Sequence, residues 1–277
     1  MILAIHTVFL ARENILFLEE WIDYHMALGF NCFYLYDNSK VKRSGGCHVK
    51  KHFKVGQVNK YNINYGEIVN LSNDEIQVAL QDIIEKYQGA VKLIEWSPKD
   101  SKGVVLFNQS QASRDCLKRM KDDGVEWCLN IDMDEYLTIG WGKKRSIIEY
   151  LNGLPKNVSN IHLSQMRLLN RFIDLGKLSV EQTSGRKTWP KGHSSKNFYR
   201  VNKTTHLGVH NWSGSGQQLR PDIRIICFNH YNMKGDNLKQ PASINNINTE
   251  IIKELNEKSK DYIIKKSEFA NSRKNDE

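Results

Sequence analysis

A strand, a helix and a second strand follow one another within the first forty residues, and that order constrains the fold more than any other feature of the chain. Ile2 to Leu10 is an apolar run, β-branched or aromatic in places, as expected of a strand covered on both faces. From Ile15 to Leu28 the apolar residues Ile15, Leu18, Ile22 and Met26 recur at helical spacing, with Trp21 and Ala27 widening the stripe and Gly29 placed to stop it. Asn31 to Tyr36 is a second strand, closed by the turn residues Asp37-Asn38-Ser39. A β-α-β unit of this kind implies parallel strands joined by a right-handed crossover. A short strand at Ile68 to Leu71, a helix over Asp74 to Tyr87, a strand at Val91 to Trp96 and a helix over Asn108 to Lys121 continue the alternation. The expected fold is α/β, a doubly wound and mostly parallel sheet with helices on both faces. Ligands of such sheets bind beyond the carboxyl ends of the strands.

The next strand ends in charge. Trp127 to Leu137 reads Trp-Cys-Leu-Asn-Ile-Asp-Met-Asp-Glu-Tyr-Leu, so that Asp132, Asp134 and Glu135 bunch where an apolar strand should emerge. If the strand continues, Asp132 and Asp134 share a face and Met133 points back into the protein. Carboxylates this close repel one another unless a positive charge separates them, and a hard divalent cation with oxygen ligands is one solution. An acidic surface turn is the plain alternative. Beyond Leu137 the pattern loosens into a short helix at Ser146 to Leu151, a strand at Ile161 to Leu169 and a polar, irregular stretch from Gly176 to Ser194. Ile223 to Phe228 is an apolar run that delivers Asn229-His230-Tyr231, and a charged helix begins at Thr249. The expected division is one large domain over residues 1–245, with a charged C-terminal helix and frayed tail over 246–277.

Composition narrows the class. No stretch approaches a membrane span, and Met1 to Leu10 lacks the basic start and cleavage site of a signal peptide. A cytoplasmic protein is expected; peripheral membrane contact stays open. The five cysteines, scattered and without metal-like spacing, read as reduced thiols. A formal charge of +9 comes largely from two clusters. One is Lys40, Lys42, Arg43, Lys50, Lys51, Lys54 and Lys60; the other is Arg186, Lys187, Lys191, Lys196, Arg200 and Lys203. Each reads either as solvated loop or as an attractor of anions. With no nucleic-acid-binding signature, a phosphorylated small molecule is the better partner and nucleic acid is not expected.

Several of these pieces resemble one family. Leu18 to Phe30, with its Glu20-Trp21, its His25 and its Leu28-Gly29, followed by Phe33-Tyr34-Leu35-Tyr36-Asp37-Asn38-Ser39, is similar to the opening of glycosyltransferases of the family 92 type and their family 2-like relatives. Gln109 to Leu117 resembles the helix that precedes the family's metal strand, Ile131 to Leu137 its Asp-x-Asp motif, and Asn229-His230-Tyr231 with Lys234 its late His-Tyr element. Arg12-Glu13-Asn14 stands where the family usually has Lys-Asn-Glu, and a Ser-x-Asp after Asp37-Asn38 is missing.

The resemblance implies a single glycosyltransferase-A type domain and a metal-dependent, inverting transfer of a sugar from a nucleoside-diphosphate sugar, with UDP the expected nucleotide, to a glycan or glycoprotein hydroxyl. Mn²⁺ or Mg²⁺ would be held by Asp132 and Asp134, with His230 the first histidine candidate and His210 the second. Arg12, Asp37, Gln109 and Asp132 are the expected nucleotide-sugar contacts, and Trp189 and Trp212 are candidates to stack on an acceptor sugar. Asp222 is the first choice for general base, with Asp174 and Glu135 open. A metal-dependent phosphohydrolase and a non-catalytic carbohydrate-binding module on the same fold are the alternatives, since fold alone does not fix function.

Overall fold

The computed structural model describes residues 1–41, 69–140, 146–168, 176–181, 186–188, 195–231 and 249–271. Its opening follows the alternation read from the chain, with one difference. Strand β1 (Leu3–Phe9) leads into a single helical turn, α1 (Ala11–Asn14), before the amphipathic helix α2 (Leu18–Ala27) and strand β2 (Cys32–Asp37). Gly29 ends α2 with a φ of +110°, a left-handed value that a side chain would strain. Helix α3 (Asn73–Lys86) starts at Ser72, whose hydroxyl accepts from Glu75 N while Glu75 returns the bond to Ser72 N. Strand β3 (Val91–Glu95), helix α4 (Gln109–Asp122) and strand β4 (Trp127–Asn130) complete the regular half. Residues 69–71 form no strand.

These strands make the parallel part of a seven-stranded sheet. β4, β1, β2 and β3 lie side by side and parallel, with β1 central. The whole sheet is mostly parallel, as expected, with one antiparallel strand. β6 (Val158–Leu163) and β9 (Lys196–Arg200) extend it on the β4 side, with β9 antiparallel to both its neighbours, and β12 (Gln217–Leu219) closes that edge. A second sheet of four strands has the order β5 (Glu135–Ile139), β13 (Ile226–Tyr231), β7 (Gln165–Leu168) and β8 (Arg186–Thr188). The run expected as one strand from Ile161 divides at Ser164, β6 staying in the first sheet and β7 joining the second. A hairpin of β10 (Thr204–Leu207) and β11 (Trp212–Gly214) stands apart. Helix α5 (Ile147–Asn152) is capped by Ser146.

The main core joins one face of the first sheet to α2, α3 and the second sheet, with Trp21, Phe33, Trp127, Leu129, Phe198 and Phe228 fully buried. The other face carries Tyr34, Tyr36, Cys128 and Tyr199 against Ala112, Cys116 and Met120 of α4. The single C-terminal helix expected from Thr249 is broken at Lys258 into α6 (Thr249–Glu257) and α7 (Ser259–Asn271). Ile251, Leu255 and Tyr262 join the main core. The basic residues of this segment meet an acidic side of α2: Lys266 Nζ lies 2.7 Å from Glu20 Oε2 with both side chains buried, Lys265 Nζ 2.7 Å from Glu19, and Lys258 Nζ 3.3 Å from Asp23. No helix among the described residues is long and apolar enough to cross a membrane.

His25 fastens α2 to the second sheet. Its Nδ1–H donates to Trp21 O at 2.8 Å and its Nε2 faces Leu137 N at 3.5 Å, a pairing that requires the neutral ring. Burial pushes its pKa down to about 3, against 6.5 when exposed. Between these values the unfolded chain binds a proton that the folded protein refuses, so stability is complete above pH 6.5 and falls as the pH drops toward 3. His25→Gln, which keeps a donor and an acceptor but does not titrate, should flatten the decline of unfolding free energy between pH 6.5 and pH 4. Urea titrations with the same slope in both proteins would show that His25 carries none of it.

Candidate active site

Strand β4 stops at Asn130, and the acidic residues that follow do not extend it. Glu135 N donates to Asp132 O at 3.0 Å and closes a turn, while Asp132 N donates to Glu135 Oε2 at 2.9 Å and ties the same turn from the other side. Asp132 and Asp134 therefore flank a reversal instead of sharing a strand face. Met133 does point inward, as expected, and is buried. At this turn the chain leaves the first sheet and enters the second, where Glu135 begins β5.

Two other elements converge on the turn. Lys196 opens β9, where Asn197 pairs with Asn130 and Lys196 with Leu163. Alternation along β9 puts Lys196 on the same side as Phe198, toward the main core. Its Nζ lies 2.7 Å from Asp132 Oδ2 and 3.3 Å from Glu135 Oε2, and only 2% of the side chain is exposed. Burial opposes the charged ammonium, yet Asp132 and Glu135 outweigh that cost and raise its pKa above the ordinary lysine value. His230 comes from β13, paired with Glu135 across the antiparallel ladder. Its Nε2 lies 3.2 Å from Asp134 Oδ2 and its Nδ1 bonds to the amide of Gln165, which pairs with Phe228, two residues before His230 on the same face of β13. Burial disfavours the imidazolium, but Asp134, Glu135 and Asp132 together raise the His230 pKa. Burial also pushes Glu135 up to about 7, with Lys196 opposing.

Asp132 is 38% exposed, Asp134 24% and His230 18%, so this edge is open to a ligand while Glu135 and Lys196 are sealed beneath it. Two hard carboxylates and an imidazole are suitable donors for Mn²⁺ or Mg²⁺ that keeps positions for substrate oxygens. Among the described residues no three His, Cys, Asp or Glu side chains already stand in a metal-holding arrangement. The nearest charged partner of Asp132 is the Lys196 ammonium.

The profile of glycosyltransferase family 92 matches residues 58–268, which include the acidic turn, Lys196 and His230. The chain belongs to glycosyltransferase family 92. No curated protein matches its sequence. Among solved structures it is similar to residues 1–349 of TarS from S. aureus, at 10% identity and a TM-score of 0.41 over 83% of this chain and 60% of that one. HddC from Yersinia pseudotuberculosis gives 9% identity and a TM-score of 0.39, over 82% of this chain and 92% of that one. A glycosyltransferase involved in glycosylating the major capsid of PBCV-1 gives 12% identity and a TM-score of 0.23, over 73% and 61%. This family 92 chain thus spans less than two thirds of the TarS chain it is aligned with.

The other residues singled out from the family 92 resemblance fall in different places. Asp37 ends β2 and accepts from Ser39 N at 3.0 Å, and Ser39 Oγ in turn accepts from Ala11 N at 2.8 Å. Gln109 is the first residue of α4 and is half-buried. His210 faces Ser195 O through Nδ1 at 2.8 Å, one residue before Lys196, but it makes no bond to the acidic turn. Trp212 is not brought to the turn: its indole N–H donates to Thr204 Oγ1 at 2.8 Å, and its ring packs on the core around Tyr199. Asp222 is held by Arg224, at 2.9 Å from Nε and 2.8 Å from Nη2. It precedes Ile226, which pairs with Ile139 at the end of β13 opposite His230, about 13 Å along the strand. Trp189, Asp174 and the basic residues from Lys42 to Lys60 lie outside the described residues.

Arg12 is engaged by the chain itself. Its Nη1 donates to Val69 O at 3.1 Å, and its Nη2 to Leu71 O at 2.8 Å and Asn73 Oδ1 at 3.0 Å. The guanidinium is thus a clamp on the segment that enters α3. Arg12→Ala should lower stability by about 1–2 kcal/mol, the scale of lost hydrogen bonds to a charged donor at a half-buried site, and leave nucleotide affinity unchanged. Calorimetry and equilibrium unfolding distinguish the two. Weaker nucleotide binding at unchanged stability would return Arg12 to the nucleotide pocket.

Proposed function

We propose that this family 92 protein transfers a sugar from a nucleoside-diphosphate sugar to a glycan hydroxyl, using the Asp132–Glu135 turn at the diphosphate end of the donor. The observation that carries this reading is the meeting of Asp132, Asp134 and His230 at the outer end of β4, partly open to solvent. Asp37 supports a donor pose. It ends β2, two strands from β4, and two strand spacings are about 10 Å, a span suited to a nucleoside at one end and its diphosphate at the other. A UDP-sugar is the first donor to test.

Asp132 and Asp134, with His230, are the residues that would hold Mn²⁺ or Mg²⁺; when bound, such a cation supplies Lewis-acid stabilisation to the departing diphosphate. To ligate through Nε2, His230 must carry its proton on Nδ1, where Gln165 can accept it with its amide turned to present oxygen. Glu135 Oε1, 3.7 Å from Nδ1, favours the same tautomer. Beneath them, the buried Glu135 and Lys196 hold the turn in place. The displacement is taken as inverting, with the acceptor hydroxyl deprotonated by a carboxylate, for which Asp222, Asp174 and Glu135 are the candidates.

Thermal unfolding with Mn²⁺ and UDP tests this reading. Ligand at a hundred times its dissociation constant should stabilise the native protein by about 2.7 kcal/mol, and the folded double variant Asp132→Ala/Asp134→Ala should lose that response. Undiminished metal-dependent stabilisation in the double variant would contradict the assignment.

A further inference from the structure

Three carboxylates sit within four consecutive residues, and among the described residues Lys196 and His230 face them. His230 Nε2 lies 3.2 Å from Asp134 Oδ2 at the partly exposed side of the turn. Lys196 is sealed on the inner side: its stem lies on the core side of β9, its head is covered, and it spans Asp132 Oδ2 and Glu135 Oε2. The inner side of the turn is therefore already neutralised. What remains toward solvent is the outer part of Asp132, together with Asp134 and His230.

From this arrangement we infer that Lys196 is the resident cation of the site, a positioning residue that fills the inner cation position and leaves room for a single exchangeable divalent ion beside Asp134. This deepens the proposed transferase reading and rests on it for the outer ion. Two consequences follow from charge alone. The turn is formed before any metal arrives, because Lys196 already relieves the repulsion between Asp132 and Glu135. The free protein also holds divalent ions weakly, because a fixed positive charge stands within contact of Asp132, and the phosphates of a nucleotide are needed to strengthen their binding.

Removing the ammonium should reverse both. In Lys196→Met, Mn²⁺ without nucleotide should bind on the order of tenfold more tightly than in the wild type, because a repelling unit charge is gone. Its melting temperature should fall in metal-free buffer and recover with Mn²⁺ by more than the wild type gains. Electron paramagnetic resonance of free Mn²⁺ gives the affinity and stoichiometry, and calorimetry gives the melting temperatures. If Lys196→Met does not fold without metal, Lys196→Gln, which keeps a donor for Asp132 but carries no charge, should show the same gain in Mn²⁺ affinity. Lys196 acting only as packing would leave Mn²⁺ affinity unchanged in the folded variant, and that result would overturn the inference. A wild type that shows no stabilisation by Mn²⁺ with UDP would instead contradict the proposed function, while the gain in the Lys196 variant would still stand.

Discussion

The buried ammonium of Lys196, held between Asp132 and Glu135, is the interaction on which the centre of this structure depends. An ammonium and a carboxylate withdrawn from water are costly apart and tolerable together, so neither can be removed alone without leaving an uncompensated buried charge. Here the pair lies under a turn that joins two sheets. It thereby fixes where β4 ends, where β5 begins and which way Asp132 and Asp134 face.

Two chain crossings share this corner. β4 passes through the acidic turn into β5, and β6 passes through Ser164 into β7, so the first sheet feeds the second from the carboxyl ends of two strands that run the same way. β13 lies between the two arrivals, pairing with β5 on one side and β7 on the other. His230 and Gln165 are consequently aimed at the turn by ladder register, with no loop needed to place them. Rigid strands hold the open edge from below. A group set on such elements keeps its geometry better than one set on a mobile loop.

The opening β-α-β unit was legible because its signals are local: helical spacing from Ile15 to Met26, a glycine at the stop, an apolar run on either side. The acidic run and the late histidine were legible as chemistry, and they do meet. Their geometry was not, because Asp-Met-Asp-Glu fits a strand by alternation and a turn by composition, and only the long-range pairing of Glu135 with His230 decides between them. Lys196 was hidden for a related reason. In sequence it belongs to a basic cluster with Lys191 and Arg200, which reads as a solvated or anion-attracting surface, whereas alternation in β9 turns it into the core. The bonds of Arg12 and Trp212 were not legible either, since a charged or aromatic residue near a strand end can serve a ligand or the backbone beside it, and their partners Val69, Leu71 and Thr204 are not sequence neighbours or have no marked signal.

The most direct test of the account is the anomalous diffraction of Mn²⁺ in a crystal grown with UDP. The account predicts one strong Mn²⁺ peak within bonding distance of Asp132 or Asp134 and His230, with Lys196 still paired to Asp132 and the uridine toward the Asp37 end of the sheet. A nucleotide bound elsewhere, or an Mn²⁺ ion in the place of the Lys196 ammonium, would contradict it.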